Sequence, residues 1–203
     1  MIKTAALWQH PLILCSLAAV FLCAVTSGAS PCDDSLLVDS VAYPIPDHWC
    51  GKKLDSSAIA RPKDLVRLPQ ELTFEEYRIY VLPETREAFV RMAAAAKRDG
   101  IDLIVDSGFR SPSFQLRLIR NRLKAGESID YVLKSVAPPG YSQHHSGRAV
   151  DLVPSEARFA FTTTYKWLRE NASRFGFIES LPEPKDDNNM FWEAWHWYYT
   201  GTH

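Results

Sequence analysis

The chain has 203 residues, 46% of them hydrophobic and 23% charged, which excludes a disordered or fibrous protein and allows one globular domain, with or without a small extension. Lys and Arg number 23 against 24 Asp and Glu, a net charge of −1, so no basic surplus exists to drive binding to a phosphate backbone. Nucleic acid is not expected as a partner.

Residues 1–29 read as a secretory signal: Lys3 opens it, an apolar run extends from Leu12 to Val25, and Ser27, Gly28 and Ala29 suit cleavage after Ala29. An uncleaved anchor is the alternative, since Leu12 to Ala29 is just long enough for a tilted span. Beyond residue 30 no run reaches spanning length, so after cleavage the chain is expected to insert in no membrane and to work outside the cytoplasm, periplasmic or secreted. Cys15 and Cys23 fall in the signal, leaving Cys32 and Cys50 as the mature pair. In an oxidising compartment a Cys32–Cys50 disulfide is the natural inference, ahead of two free thiols or half a metal site. Closing that loop is worth about 3 kcal/mol in the chain-entropy model.

Residues 30–82 are expected to form an N-terminal extension and residues 83–203 the main domain. Pro44, Pro46, Pro62 and Pro69 break the extension into loops with short β stretches such as Tyr80 to Leu82. From Glu84 to Arg98, apolar residues at Phe89, Met92, Ala93 and Ala96 mark one helical face, and Gly100 stands at the C-terminal cap. Leu103 to Val105 follows as a buried strand. Ser111 and Pro112 supply an N-cap and a first-turn proline for a second helix, with Leu116, Ile119 and Leu123 inward and Gly126 closing it. A shorter helix over Ser128 to Ser135 ends before Pro138-Pro139-Gly140, and Arg148 to Val153 alternates like a strand. Thr164 to Arg174 is a further helix, burying Leu168, Ala172 and Phe175 before Gly176. Lys185 to Asn189 reads as a solvated loop, and the aromatic stretch Phe191 to Tyr199 as a core strand. The pattern is α+β with one small sheet.

Histidines beyond the signal are His48, His144, His145, His196 and His203, and two segments combine them with carboxylates: Ser142 to Asp151, and Glu193 to Trp197. A catalytic zinc takes three imidazole or carboxylate ligands and leaves one position open for water, a count that two His and one Asp meet. A carboxylate that does not bind the ion can accept the proton of the activated water, and Glu193 stands three residues before His196 for that task. No His-Glu-x-x-His helix is present, and each histidine taken singly is as well explained by surface or core packing. On an ideal strand Glu193 and His196 face opposite sides, so a shared site demands a turn or bulge near Ala194. His145 follows His144 directly, and consecutive side chains point apart on extended backbone, so only one should reach a metal. His145 is then expected to support the ligands from behind or to be exposed. His48 and His203, lacking a carboxylate nearby, read as surface residues. Of Trp192, Trp195, Trp197, Tyr198 and Tyr199, alternation sends some to the core and some to a cleft wall. Asn171-Ala172-Ser173 matches a glycosylation acceptor but falls within an expected helix, and it is set aside.

The segment Ser-x-His-x-x-Gly-x-Ala-x-Asp, filled by Ser142, His144, Gly147, Ala149 and Asp151, together with the later Glu-x-Trp-His of Glu193, Trp195 and His196, resembles the VanY-type D-alanyl-D-alanine carboxypeptidases. A third element, Ser107-Gly108-Phe109-Arg110-Ser111 followed by Gln115, is similar to that family's arginine motif. The resemblance covers about Leu82 to Gly201 and implies a small antiparallel sheet with flanking helices, the fold shared by the D-Ala-D-Ala dipeptidases and hedgehog. It implies one zinc ion on His144, Asp151 and His196, Glu193 as base, and Arg110 as a clamp on the carbonyl and transition state. Physically, a guanidinium offers fixed donors to a developing oxyanion. Gln115 and Ser142 would add hydrogen bonds to substrate or ligands, unless they serve only as local turn caps. Ala194 departs from a common proline and Phe109 from a common tyrosine; neither removes a reacting group.

The activity so implied is removal of the terminal D-alanine from peptidoglycan stem peptides. Within the family the alternatives are an L,D-carboxypeptidase, a D,D-dipeptidase or a cross-link endopeptidase. From other classes come a noncatalytic zinc-binding recognition module and a disulfide-stapled wall-binding protein without metal. A proton acceptor beside an open coordination position argues for the enzyme.

Overall fold

The computed structural model describes residues 33–181 and 192–201. The signal at 1–29, Cys32, the loop Lys185 to Asn189, Phe191 and His203 lie outside the described residues. Cys50 is disulfide-bonded.

Four strands build the sheet that carries the site: β5 (Val105–Ser107), β6 (Ala149–Leu152), β7 (Phe177–Glu179) and β8 (His196–Tyr199), ordered β5-β6-β8-β7 and antiparallel throughout. Helix α1 (Pro83–Arg98) packs against this sheet through Phe89, Met92, Ala93 and Ala96, all buried, as their spacing predicts. With Val105, Val150, Leu152, Phe177 and Trp197 from the strands and Leu168 from α4 (Thr163–Asn171) they form the main core. Helix α4 is shorter than the periodicity predicts. It tightens into a 3-10 turn over Ala172–Phe175 before Gly176.

Two small ladders accompany the main sheet, so the expectation of one sheet is corrected to three among the described residues. Strands β1 (Ser35–Val38) and β2 (Val41–Pro44) form a hairpin, and β3 (Val66–Arg67) pairs with β4 (Tyr80–Val81). The hairpin escapes sequence reading because its turn, Asp39-Ser40, takes positive φ at both residues (47° and 70°) without the usual glycine. Leu36 and Val38 point inward from β1 and meet Ile45, Trp49 and residues of α2 (Pro112–Lys124) and α3 (Ile129–Ser135). The N-terminal segment therefore shares a second core with α2 and α3.

Two strand bounds also differ from expectation. Leu103 is buried but unpaired, and the strand begins at Val105, where pairing with Leu152 starts, because apolar runs report burial and not register. The aromatic stretch is strand only from His196; Ala194 and Trp195 form a turn instead.

Candidate active site

Strand register creates the first half of the site. Asp151 on β6 lies directly opposite His196 on β8, and opposite Ser107 on β5. Facing residues on adjacent strands stand about 5 Å apart. His196 Nδ1 is accordingly 2.9 Å from Asp151 Oδ1. His144 arrives from the 3-10 turn Gln143–Ser146, which Gly147 ends in the left-handed conformation (φ 68°) just before β6 begins. Its Nε2 stands 3.1 Å from Asp151 Oδ2. One ligand atom from each of His144, Asp151 and His196 can be chosen so that all lie within 4.8 Å of one another, and all three residues are buried.

Hydrogen bonds fix which nitrogen each imidazole offers. His144 Nδ1 donates to the Gly108 carbonyl at 2.6 Å, leaving Nε2 toward Asp151, buried and without a hydrogen-bond partner. His196 Nε2 donates to Gln143 Oε1 at 2.9 Å, and Ser180 Oγ donates to the same oxygen at 2.6 Å. Nδ1 of His196 is then the free lone pair. Two imidazole lone pairs aimed at one carboxylate repel it unless a cation sits among them, so this donor set fits a divalent metal. Burial and the Arg110 charge lower the His144 pKa to about 4, which keeps its ring neutral as a ligand must be. Burial alone would raise Asp151, yet His144, His196 and Arg110 together hold it well below the usual carboxylate range.

Glu193 reaches the same cavity through the turn that the sequence demanded. The His196 amide donates to the Glu193 carbonyl at 2.9 Å, closing a tight turn over Ala194 and Trp195 that reverses the strand alternation. Glu193 is absent from the clustered ligand set but lines the cavity with it. Burial pushes its pKa up to about 7; Asp151 adds to the rise, while His196 and Arg110 oppose it.

Arg110 lies between β5 and α2, and its Nη2 stands 3.2 Å from Asp151 Oδ2, while Nε is buried without a partner. Its backbone is held on both sides: the Arg110 amide donates to His144 O at 3.3 Å, and His145 Nδ1 donates to Arg110 O at 2.6 Å. His145 is therefore buried and supports Arg110, not exposed. His48 is likewise half-buried, with Nε2 2.9 Å from Leu133 O, which corrects its reading as a surface residue. Gly108 is required by close approach: a Cβ there would meet Tyr80 O and Ile79 Cγ2 at 2.7 Å each.

Gln115 and Ser142 both line the cavity. Gln115 Nε2 is engaged by Ala137 O at 2.9 Å and its Oε1 has no partner, whereas Ser142 makes no side-chain cap bond although it stands at the cap position of its turn. Ser111 is the cap that α2 uses, accepting from the Phe114 amide. Trp195 lines the cavity, while Trp197 and Tyr199 are core. Sequence reading missed Gln143 as the partner of His196, 53 positions away; no local signal marks such a contact. It also missed Trp49, Lys52, Leu54 and Lys134 on the cavity wall.

Fold and site together define a metallohydrolase-type centre: a buried His-Asp-His ligand set, a separate carboxylate of raised pKa and a guanidinium, all facing a cavity of about 740 Å3. Residues 78–202 match the VanY family of D-alanyl-D-alanine carboxypeptidases, and the chain belongs to that family. It is 35% identical over 155 residues to YodJ of Bacillus subtilis (strain 168), named as a carboxypeptidase, covering 69% of this chain and 54% of YodJ. The chain spans about half the length of the curated relatives it matches. Among solved structures, the LdcB LD-carboxypeptidase superposes with a TM-score of 0.64 at 29% identity, covering 86% of this chain and 87% of LdcB. The VanY D,D-pentapeptidase of the VanB-type resistance cassette, solved with Zn(II), gives a TM-score of 0.51 at 26% identity over 67% of this chain and 84% of that one.

Proposed function

We propose that the protein is a zinc-dependent D,D-carboxypeptidase that removes the terminal D-alanine from peptidoglycan stem peptides outside the cytoplasm. The observation that carries this reading is the convergence of His144, Asp151 and His196 within 4.8 Å in a cavity that Glu193 and Arg110 also line. Family membership and the Zn(II) complex of the VanY relative support zinc as the ion. Bound there, zinc would act as a Lewis acid toward the scissile carbonyl and make water a stronger acid. Glu193 takes the proton of the attacking water and returns it to the leaving amine; a pKa near 7 suits both halves of that task. Arg110, positioned from both sides by His144 and His145, donates to the oxygen on which negative charge develops. Ser142 and Gln115 offer further hydrogen bonds to the peptide.

An L,D-carboxypeptidase is the second reading, because the LdcB likeness extends over 86% of the chain and so takes in much of the N-terminal segment. Mass spectrometry of defined tri-, tetra- and pentapeptide muropeptides after digestion separates the two. Loss of one residue from the pentapeptide supports the D,D activity; loss from the tetrapeptide alone supports the L,D activity. No cleavage by zinc-loaded protein contradicts both.

Residues 1–29 are taken as the export signal of this proposal, and a Cys32–Cys50 bridge as the tie that anchors the extension. Among the described residues no helix is long and apolar enough to cross a membrane.

A further inference from the structure

The cavity extends well past the reacting groups, to the place where the N-terminal segment docks on α3. Its wall runs from Asp151 and Arg110 to Gln115, whose amide is tied to Ala137, and on to Lys134, Trp49 and Lys52. At that far end Trp49 Nε1 donates 2.7 Å to the carbonyl of Leu133. Lys134 follows Leu133 in the chain, and Lys52 Nζ lies 5.6 Å from the centre of the Trp49 ring. Two amines thus flank one junction, one from α3 and one from a segment that precedes the family match at residues 78–202.

Two guanidinium groups on this wall are matched. Arg110 stands on Asp151, and Arg122 pairs with Glu127. Lys134 is half-buried beside Val136 and Ala137 and makes no ion pair or hydrogen bond among the described residues. A half-desolvated ammonium without a counter-charge, on the wall of a cavity large enough for several residues of peptide, calls for an anionic ligand group.

We propose that Lys134, on the same cavity wall as Lys52, forms a carboxylate-binding subsite that makes the enzyme selective for acidic peptide stems. The inference rests on the carboxypeptidase reading above and adds the chemistry of its substrate. The carboxylate it would meet is one further up the stem, since the α-carboxylate of the residue to be released stays one residue from the scissile bond at the metal end.

The test is steady-state kinetics of the zinc-loaded wild type, Lys134→Met and Lys134→Arg. The substrates are two pentapeptide stems that differ only in an upstream carboxyl, free or amidated. Wild type is expected to prefer the free acid about tenfold, the scale of one charge-assisted hydrogen bond. Lys134→Met should lose that preference through KM, and Lys134→Arg should keep it. A preference that Lys134→Met leaves unchanged, or none in the wild type, overturns the proposal. If the wild type cleaves no stem, the carboxypeptidase reading fails separately, and calorimetric binding of the same acid and amide stems decides the subsite by the same criterion.

Discussion

The two ends of the cavity are built by opposite means. At the metal end every group is set by backbone: Asp151 and His196 by register between β6 and β8, Glu193 by the turn that closes onto His196, His144 by a 3-10 turn ended at Gly147. At the far end, short 3-10 turns and a two-stranded hairpin lean on α2 and α3 through one apolar cluster and the Trp49 to Leu133 hydrogen bond. Chemistry that fails when groups move by an ångström sits on rigid elements, and recognition sits on loops that can vary. Substitutions at the metal end should therefore change metal content and kcat, and substitutions at the far end should change KM and stability.

The largest expected effect is that of His196→Ala, which removes a ligand held by strand register. Metal analysis should find no stoichiometric zinc, and hydrolysis should disappear. Retained zinc at one equivalent would remove His196 from the ligand set. Arg110→Met should keep the zinc and lower kcat about 10²- to 10³-fold, the range for loss of one oxyanion donor. Gly108→Ala strains both packing and the metal end, because its new methyl would meet Tyr80 O and Ile79 Cγ2 while the Gly108 carbonyl orients His144. Denaturant unfolding should show a loss of about 1–3 kcal/mol, as for overpacking elsewhere. Trp49→Phe should leave zinc content intact and cost about 1 kcal/mol, the scale of one buried hydrogen bond. Loss of zinc in Trp49→Phe would break the division between the ends.

A further effect concerns pH in the metal-free protein. Glu193, raised to about 7 in the fold, binds its proton more tightly there than in the unfolded chain. Its contribution is fully present below about pH 4.5 and is lost as pH rises through about 7. His144, lowered to about 4, works the other way, losing stability as pH falls from its ordinary 6.5 toward 4. Glu193→Gln removes only the first contribution. The metal-free variant should gain on the wild type at pH 8, by a few kcal/mol at most, and the gain should vanish by pH 4.5. Equal Tm differences at both pH values would show that Glu193 is not buried as described.

Legibility in the sequence followed the same division. The metal end was readable because its parts are local: Ser142 to Asp151 is one turn feeding one strand, and the turn needed near Ala194 was deducible from alternation alone. Helix α1 was readable from four apolar positions. The far end was not readable, since a hairpin of four-residue strands around Asp39-Ser40 carries no glycine signal and Trp49 meets Leu133 across 84 positions. Aromatic density overstated β8, because it reports burial of Trp195 to Tyr199 and says nothing of where pairing begins. His48 was misread as a surface residue, and the sequence left His145 open between support and exposure, because the partners of both are backbone carbonyls brought by the fold.

Glu193→Gln tests the central claim most directly, with zinc stoichiometry and pentapeptide turnover measured on the same purified samples beside the wild type. One zinc per chain in both proteins, with turnover in the variant lower by at least about 10²-fold, is the result the account predicts. Unchanged turnover, or zinc lost with the glutamate, would contradict it.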